Sequence, residues 1–147
     1  MANKEVRNWK DRTSRGKEIY ITNTVKTIHP VVDKIVCRLL EIDRIQYVRV
    51  SQTDLHASSE ISIKGRTKTP ISTPGHSSAI GVHLILDYSY KAILFHEITS
   101  ATKGYGEKMV RAVLSSIPDD WQALVAMDYS EGFWDRMIEK YDKLSTV

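Results

Sequence analysis

Ser100-Ala101-Thr102-Lys103-Gly104-Tyr105-Gly106-Glu107-Lys108-Met109-Val110 couples a strand to a helix through two glycines. On its N-terminal side, Lys91 to Thr99 alternates as a strand, with Ala92, Leu94, His96 and Ile98 on one face and Ile93 and Phe95 on the other. On its C-terminal side, Met109, Val110, Val113, Leu114 and Ile117 form one apolar stripe, which predicts a helix from Gly104 to Ile117, closed by Pro118. A helix that begins just after a strand presents unpaired backbone N–H groups and the positive end of its dipole. Gly104 and Gly106 let a bulky anion approach that backbone. Together these features make a cradle for a pyrophosphate, with Lys103 and Lys108 adding charge at its rim. The segment is not a Walker loop, because no Gly-Lys-Ser/Thr follows, and it lacks the third glycine of a dinucleotide fingerprint. A Gly-x-Gly pair alone fits an ordinary turn before a helix equally well.

Working outward, Ala79 to Asp87 places Ile80, Val82, Leu84 and Leu86 on one face, and the short Tyr88-Ser89 connection predicts an antiparallel hairpin with the strand at Lys91. After the helix, Trp121 to Met127 reads as a short apolar strand, the second half of a parallel crossover. Phe133 to Leu144 reads as a last helix, with Phe133, Trp134, Met137, Ile138, Tyr141 and Leu144 on its buried side. Toward the N-terminus, Glu18 to Ile28 predicts a strand, and Pro30 opens a helix whose Val32, Ile35, Val36, Leu39 and Leu40 stripe ends near Asp43. Ile45 to Gln52 and the pair Ile61 and Ile63 predict two further strands. Gly65 to Ser78, with Pro70, Pro74 and Gly75, reads as a long mobile loop. Residues 1–17 read as a flexible, solvated arm in which Lys4, Arg7, Lys10, Arg12, Arg15 and Lys17 are interrupted by acids. The expected fold class is α/β of the α+β type: one domain over residues 1–147, with a mixed, mostly antiparallel central sheet flanked by helices.

Composition sets wider limits. The 147 residues make one domain's worth of chain, 41% hydrophobic and 27% charged, as in an ordinary soluble globular protein. The formal charge of +3, from 21 basic and 18 acidic residues, is too small to argue for a nucleic-acid partner by itself. One cysteine, Cys37, excludes an internal disulfide and a cysteine zinc cluster, and its place in an apolar helix predicts a buried thiol. No apolar run approaches a membrane span, and the N-terminus lacks the apolar core of a signal peptide, so no membrane partner and a cytoplasmic location are expected.

The order of elements and the two glycines resemble the GNAT acetyltransferase superfamily. Its signature is Gln/Arg-x-x-Gly-x-Gly/Ala between a central strand and the following helix, and Ala101-Thr102-Lys103-Gly104-Tyr105-Gly106 stands there, with Ala101 in place of the leading Gln/Arg and Lys103 as a partial substitute for its charge. The family's later aromatic pair, usually Phe-Tyr, corresponds to Phe133-Trp134. The resemblance covers about the last 60 residues well and the first 80 in element order only. It implies an acyl-CoA, most simply acetyl-CoA, as co-substrate, with the pyrophosphate held by Lys103, Gly104, Tyr105, Gly106 and Lys108 and the pantetheine arm paired with the strand end at Glu97, Ile98 and Thr99. It implies direct transfer of the acyl group to an amine, either a small molecule or a peptide.

Such transfer needs a base for the amine and an acid for the leaving thiolate. Glu97 lies on the strand where the family often places a base, and Tyr129 is the best remaining acid, since the usual tyrosine is Trp134 and an indole donates no proton near neutral pH. Alternation puts His96 on the face opposite Glu97, so only one of the two is expected at an acyl site. His29, His56, His76, His83 and His96 are scattered without helical ligand spacing, and no zinc site is expected from them. The chain ends soon after the last predicted helix, with no room for the family's final two strands, so a homodimer that completes the sheet is one expectation. Two readings compete with the enzyme: a non-catalytic GNAT-like binding or regulatory module, and a nucleic-acid-associated protein using the basic arm and Lys64-Gly65-Arg66-Thr67-Lys68. For an acyltransferase, the loop from Gly65 to Ser78 is expected to border the acceptor site, with Lys64, Arg66, Lys68 and His76 selecting an acidic acceptor.

Overall fold

His29 starts the first helix: its Nδ1 accepts from the Val31 N–H at 3.1 Å, and Pro30 fills the first helical position, where its missing N–H costs nothing. This helix, α1 (Pro30–Leu40), ends at Glu41, and Lys17 caps it by donating to the Leu40 and Ile42 carbonyls at 2.6 and 2.9 Å. The structure, a computed structural model, describes residues 16–147. The basic arm expected over residues 1–17 therefore lies outside the described residues except for its last two, and Lys17 is docked rather than free in solvent.

The strands are β1 (Glu18–Ile21), β2 (Tyr47–Val50), β3 (Asp54–Ser58), β4 (Ile61–Lys64), β5 (Thr67–Pro70), β6 (Ile80–Asp87), β7 (Ala92–Ser100), β8 (Gln122–Val125) and β9 (Leu144–Thr146). The remaining helices are α2 (Tyr105–Leu114) and α3 (Phe133–Lys140). Seven strands form one mixed sheet in the order β1-β2-β3-β6-β7-β8-β9. Its centre, β2-β3-β6-β7, is antiparallel, and β1-β2, β7-β8 and β8-β9 are parallel. The fold class is therefore α+β with a mixed sheet, as the patterns predict.

Each parallel pair is bridged by a helix, and all three helices bury their apolar side chains against one face of the sheet. Phe95, Leu84, Val82, Met109, Val110, Ile35 and Trp134 meet there in a single hydrophobic cluster. The β4-β5 ribbon lies against β2 and β3.

Several boundaries differ from the sequence reading. The first strand stops at Ile21, and Val25 and Ile28 reach the core from a loop. The short strand β3 goes unpredicted, because Asp54-Leu55-His56-Ala57-Ser58 has few strand-favouring residues. The connection from β6 to β7 is the four-residue turn 88–91, with Lys91 at φ 50°, rather than Tyr88-Ser89 alone. Gly65 to Ser78 is not one loop: Thr67–Pro70 pairs with Ile61–Lys64, and the rest is pinned to the sheet, with Ser72 buried and the Ile71 carbonyl so near Gly81 that a Cβ there would lie 2.1 Å from it. Leu144 leaves the predicted helix and opens β9, which takes the sheet edge beside β8. A strand therefore follows the last helix where the sequence reading expected none, and it is only three residues long. Cys37 is half-buried, its Sγ 3.6 Å from Asp33 Oδ1.

Candidate functional site

β7 departs from regular geometry at His96. His83 pairs with Glu97 and Leu84 with Phe95, so two residues of β7 pass for one of β6. This β-bulge overturns the alternation read from the sequence. His96 and Glu97 now share a face, and Ile98 joins Ile93 and Phe95 on the helix side, opposite Val82. On the other edge, the ladder between β7 and β8 runs only to Phe95 and Val125, with a last bond from the Ala126 N–H to the Phe95 carbonyl at 3.0 Å. Beyond that point the strands part. Ala101 donates to the Ala79 carbonyl, so alternation turns the backbone groups of Ile98 and Ser100 toward the opening.

The opening is a cavity of about 270 Å³. Ile98, Thr99 and Ser100 form one wall, Met127, Tyr129 and Ser130 the other, and Gly106, Phe133 and Trp134 the helix-side floor. Pro74, Gly75 and His76 close it from the opposite face. His76 is held in one tautomer: Nδ1 accepts from the Ser78 and Ala79 N–H groups at 3.2 and 2.9 Å, which leaves Nε2–H as the ring's donor when neutral. The His76 N–H in turn donates to Thr99 Oγ1 at 3.2 Å. Trp134 is 3% exposed and packs on Phe95 at 5.0 Å between ring centroids, so its indole serves the core. Tyr129 is 57% exposed at the rim.

The glycine turn opens α2 beside this cavity. Gly104 is the N-cap at φ 93°, a conformation open to glycine, and no side chain caps the helix. The Tyr105 N–H reaches the Thr102 carbonyl, whereas those of Gly106 and Glu107 have no carbonyl one turn earlier. Gly106 is fixed for a different reason: a Cβ there would lie 3.0 Å from the Phe133 ring. Lys108 stacks on Tyr105 at 4.3 Å, and Lys103 is exposed. Arg44 joins them from the loop after α1 and donates to Thr102 Oγ1 at 2.7 Å. No local pattern marks Arg44, which is 58 residues from Thr102 along the chain. Tyr105 Oη donates to Asp43 at 2.9 Å, a bond that holds the Asp43 carboxyl below its usual range. The ammonium of Lys140, with the Tyr141 hydroxyl, likewise lowers Glu107, tying α2 to the end of α3.

Glu97 lies on the face opposite the helices, two residues before Thr99, with Oε1 3.5 Å from His83 Nδ1. It faces a histidine cluster instead of the cavity lining. His83 stacks on His56 at 3.7 Å and meets His96 edge-on at 4.9 Å. Sequence spacing hid this cluster because strand register, not helical periodicity, assembles it: His56 is the cross-strand partner of His83, and His83 that of Glu97. The basic ribbon residues lie elsewhere. Lys68 is 3.9 Å from Glu18 on the edge strand β1, so of the four residues proposed to select an acceptor only His76 lines the cavity. No helix among the described residues is long and apolar enough to cross a membrane. Comparison with protein-family models, curated proteins and solved structures finds no match to this chain.

Proposed function

We propose that this chain binds an acyl-CoA, acetyl-CoA being the simplest, where β7 and β8 part, and transfers the acyl group to a small-molecule or peptide amine, as its resemblance to the GNAT superfamily implies. The observation that carries this reading is the coincidence of three features: a bulged strand with unpaired backbone, a cavity in the divergence, and a glycine-initiated helix at its mouth. Extended amides such as those of pantetheine match the free backbone groups of Ile98 and Ser100. The N–H groups of Gly106 and Glu107, with Lys103, Lys108 and Arg44 nearby, suit a pyrophosphate.

In this reading the amine nitrogen attacks the thioester carbonyl, the C–S bond breaks, and the thiolate takes the Tyr129 proton. The His76 Nε2–H supports the carbonyl oxygen as charge develops. Glu97 stands outside the cavity lining, so the amine reaches the thioester past His76 from the open face and gives its proton to the Glu97 carboxylate on that side. A second reading, acyl-CoA binding without transfer, is favoured by Trp134, which stands buried where the family usually has its tyrosine acid.

Calorimetry with acetyl-CoA tests binding, and thiol release with mixed amines tests transfer. Arg44→Ala with Lys108→Ala should weaken binding at least ~10-fold, about 1.4 kcal/mol. No binding by the wild type, or unchanged affinity in the folded double variant, would overturn the site. Binding without thiol release selects the second reading.

A further inference from the structure

The open face of the sheet gathers titratable side chains that acyl transfer uses only at Glu97. His83 is their centre. Its side chain is 15% exposed, yet both ring nitrogens are buried without a hydrogen bond. Their nearest acidic neighbours are Glu97 Oε1, 3.5 Å from Nδ1, and Asp54 Oδ1, 3.5 Å from Nε2, and neither contact has hydrogen-bond geometry. A buried polar group left in this state costs about 1–3 kcal/mol. The bulge turns Glu97 onto the face that already carries His83 and His96, so that one ligand atom each from His83, His96 and Glu97 lies within 4.8 Å of the others.

We propose that His83, His96 and Glu97 bind a divalent transition-metal ion of the zinc class. Ligands at about 2.0–2.2 Å around a tetrahedral ion stand about 3.3 Å apart. His83 Nδ1 and Glu97 Oε1 are already at 3.5 Å, and small rotations of His96 and Glu97 close the rest. Nδ1 of His83 then meets the ion and Nε2–H turns to Asp54, the carboxylate–histidine–metal relay that fixes a ligating ring. Both orphaned nitrogens gain a partner at once. Two imidazoles and one carboxylate suit zinc, cobalt, nickel or iron and disfavour calcium and magnesium, which take oxygen ligands. Asp54 and Glu97 supply two negative charges against the cationic Arg49, and His56, stacked over His83, is held neutral by burial, its pKa lowered to about 4. Three protein ligands leave the fourth position open for water or a substrate donor atom.

The inference rests on sheet geometry and stands whether or not an acyl-CoA binds in the cleft. The two readings do meet at Glu97: a carboxylate on the ion takes no proton, so transfer belongs to the metal-free protein.

The test uses untagged full-length protein, stripped with chelator and titrated with Zn²⁺ alone by calorimetry and with Co²⁺ by visible absorption. One ion per chain and the d–d bands of a low-symmetry nitrogen–oxygen site are expected. Asp54→Asn should weaken Zn²⁺ binding by about 10–100-fold. His83→Asn, His96→Ala and Glu97→Gln should each weaken it at least as much, and His76→Asn should leave it unchanged. Circular dichroism checks that each variant is folded. A wild type that takes up neither ion, or binding that survives His96→Ala and Glu97→Gln in folded protein, overturns the proposal.

Discussion

Leu94 and Phe95 are neighbours on β7 that face opposite sides of the sheet. Phe95 is fully buried among Leu84, Trp134 and the helices, and Leu94 is half-buried opposite Ile85 and Leu124. The same contrast holds across the whole sheet. The helix-covered face carries the apolar cluster, whereas the opposite face carries Arg49, His56, His83, His96, Glu97 and Asp54, with the β4-β5 ribbon over part of it. Stability is concentrated on one side and chemistry on the other. The sharpest way to break that division is a paired truncation. Phe95→Ala should cost about 3–5 kcal/mol, and Leu94→Ala about 1 kcal/mol, because only a core site leaves a full cavity behind. Urea unfolding followed by tryptophan fluorescence measures both. Equal costs would mean that the open face is a second core.

The two faces were also unequally legible in the sequence. Helix stripes such as Val32, Ile35, Val36, Leu39 and Leu40 depend on local periodicity, and all five are buried. The strand–turn–helix junction at the two glycines was legible as well, since it lies within eleven consecutive residues. The open face depends on register. Nothing local in Asp54-Leu55-His56-Ala57-Ser58 shows that His56 will stack on His83, and strict alternation keeps His96 beside Leu94 but sends Glu97 to the helix side with Phe95. One bulge exchanges the facing of every residue beyond it. Arg44 was missed for a related reason, since a loop residue has no period to betray its contact with Thr102.

If the division is right, acid should attack the open face first. Burial and the neighbouring His83 lower the His56 pKa from 6.5 to about 4, against the opposing pull of Asp54, with Arg49 and His96 also facing it. A histidine depressed in the folded state binds its proton more tightly when unfolded. Its contribution is therefore complete above about pH 6.5 and is lost progressively down to about pH 4, after which it changes no further. The loss is on the order of 3 kcal/mol. Urea midpoints at pH 7.5, 5.5 and 4.5 should show it, with other groups titrating alongside, and His56→Gln should flatten that window by this amount. A His56→Gln profile parallel to the wild type would place the acid sensitivity elsewhere.

The smallest effect separates the two glycines of the turn that opens α2. Gly104 needs its backbone conformation: at φ 93° a side chain is strained, yet no atom lies within 4 Å of the position its Cβ would take. Gly106 needs its missing side chain: a Cβ would meet Phe133 Cε1 and Cζ at 3.0 and 3.1 Å, where α3 packs on the start of α2. Gly106→Ala should therefore cost about 1–3 kcal/mol, as overpacking does, and should disturb the floor of the cavity through Phe133. Gly104→Ala carries strain of about 1–2 kcal/mol, offset by about 0.4–1 kcal/mol from a stiffer unfolded chain, for a net loss near 1 kcal/mol or less. Denaturation of both variants, with and without acetyl-CoA, separates the two origins. Gly104→Ala should lose little stability and keep its cavity, and any fall in acetyl-CoA affinity then reports on the turn itself. If Gly104→Ala proves the more damaging to the unliganded protein, backbone strain at the turn outweighs the helix contact, and the second glycine is not there to admit Phe133.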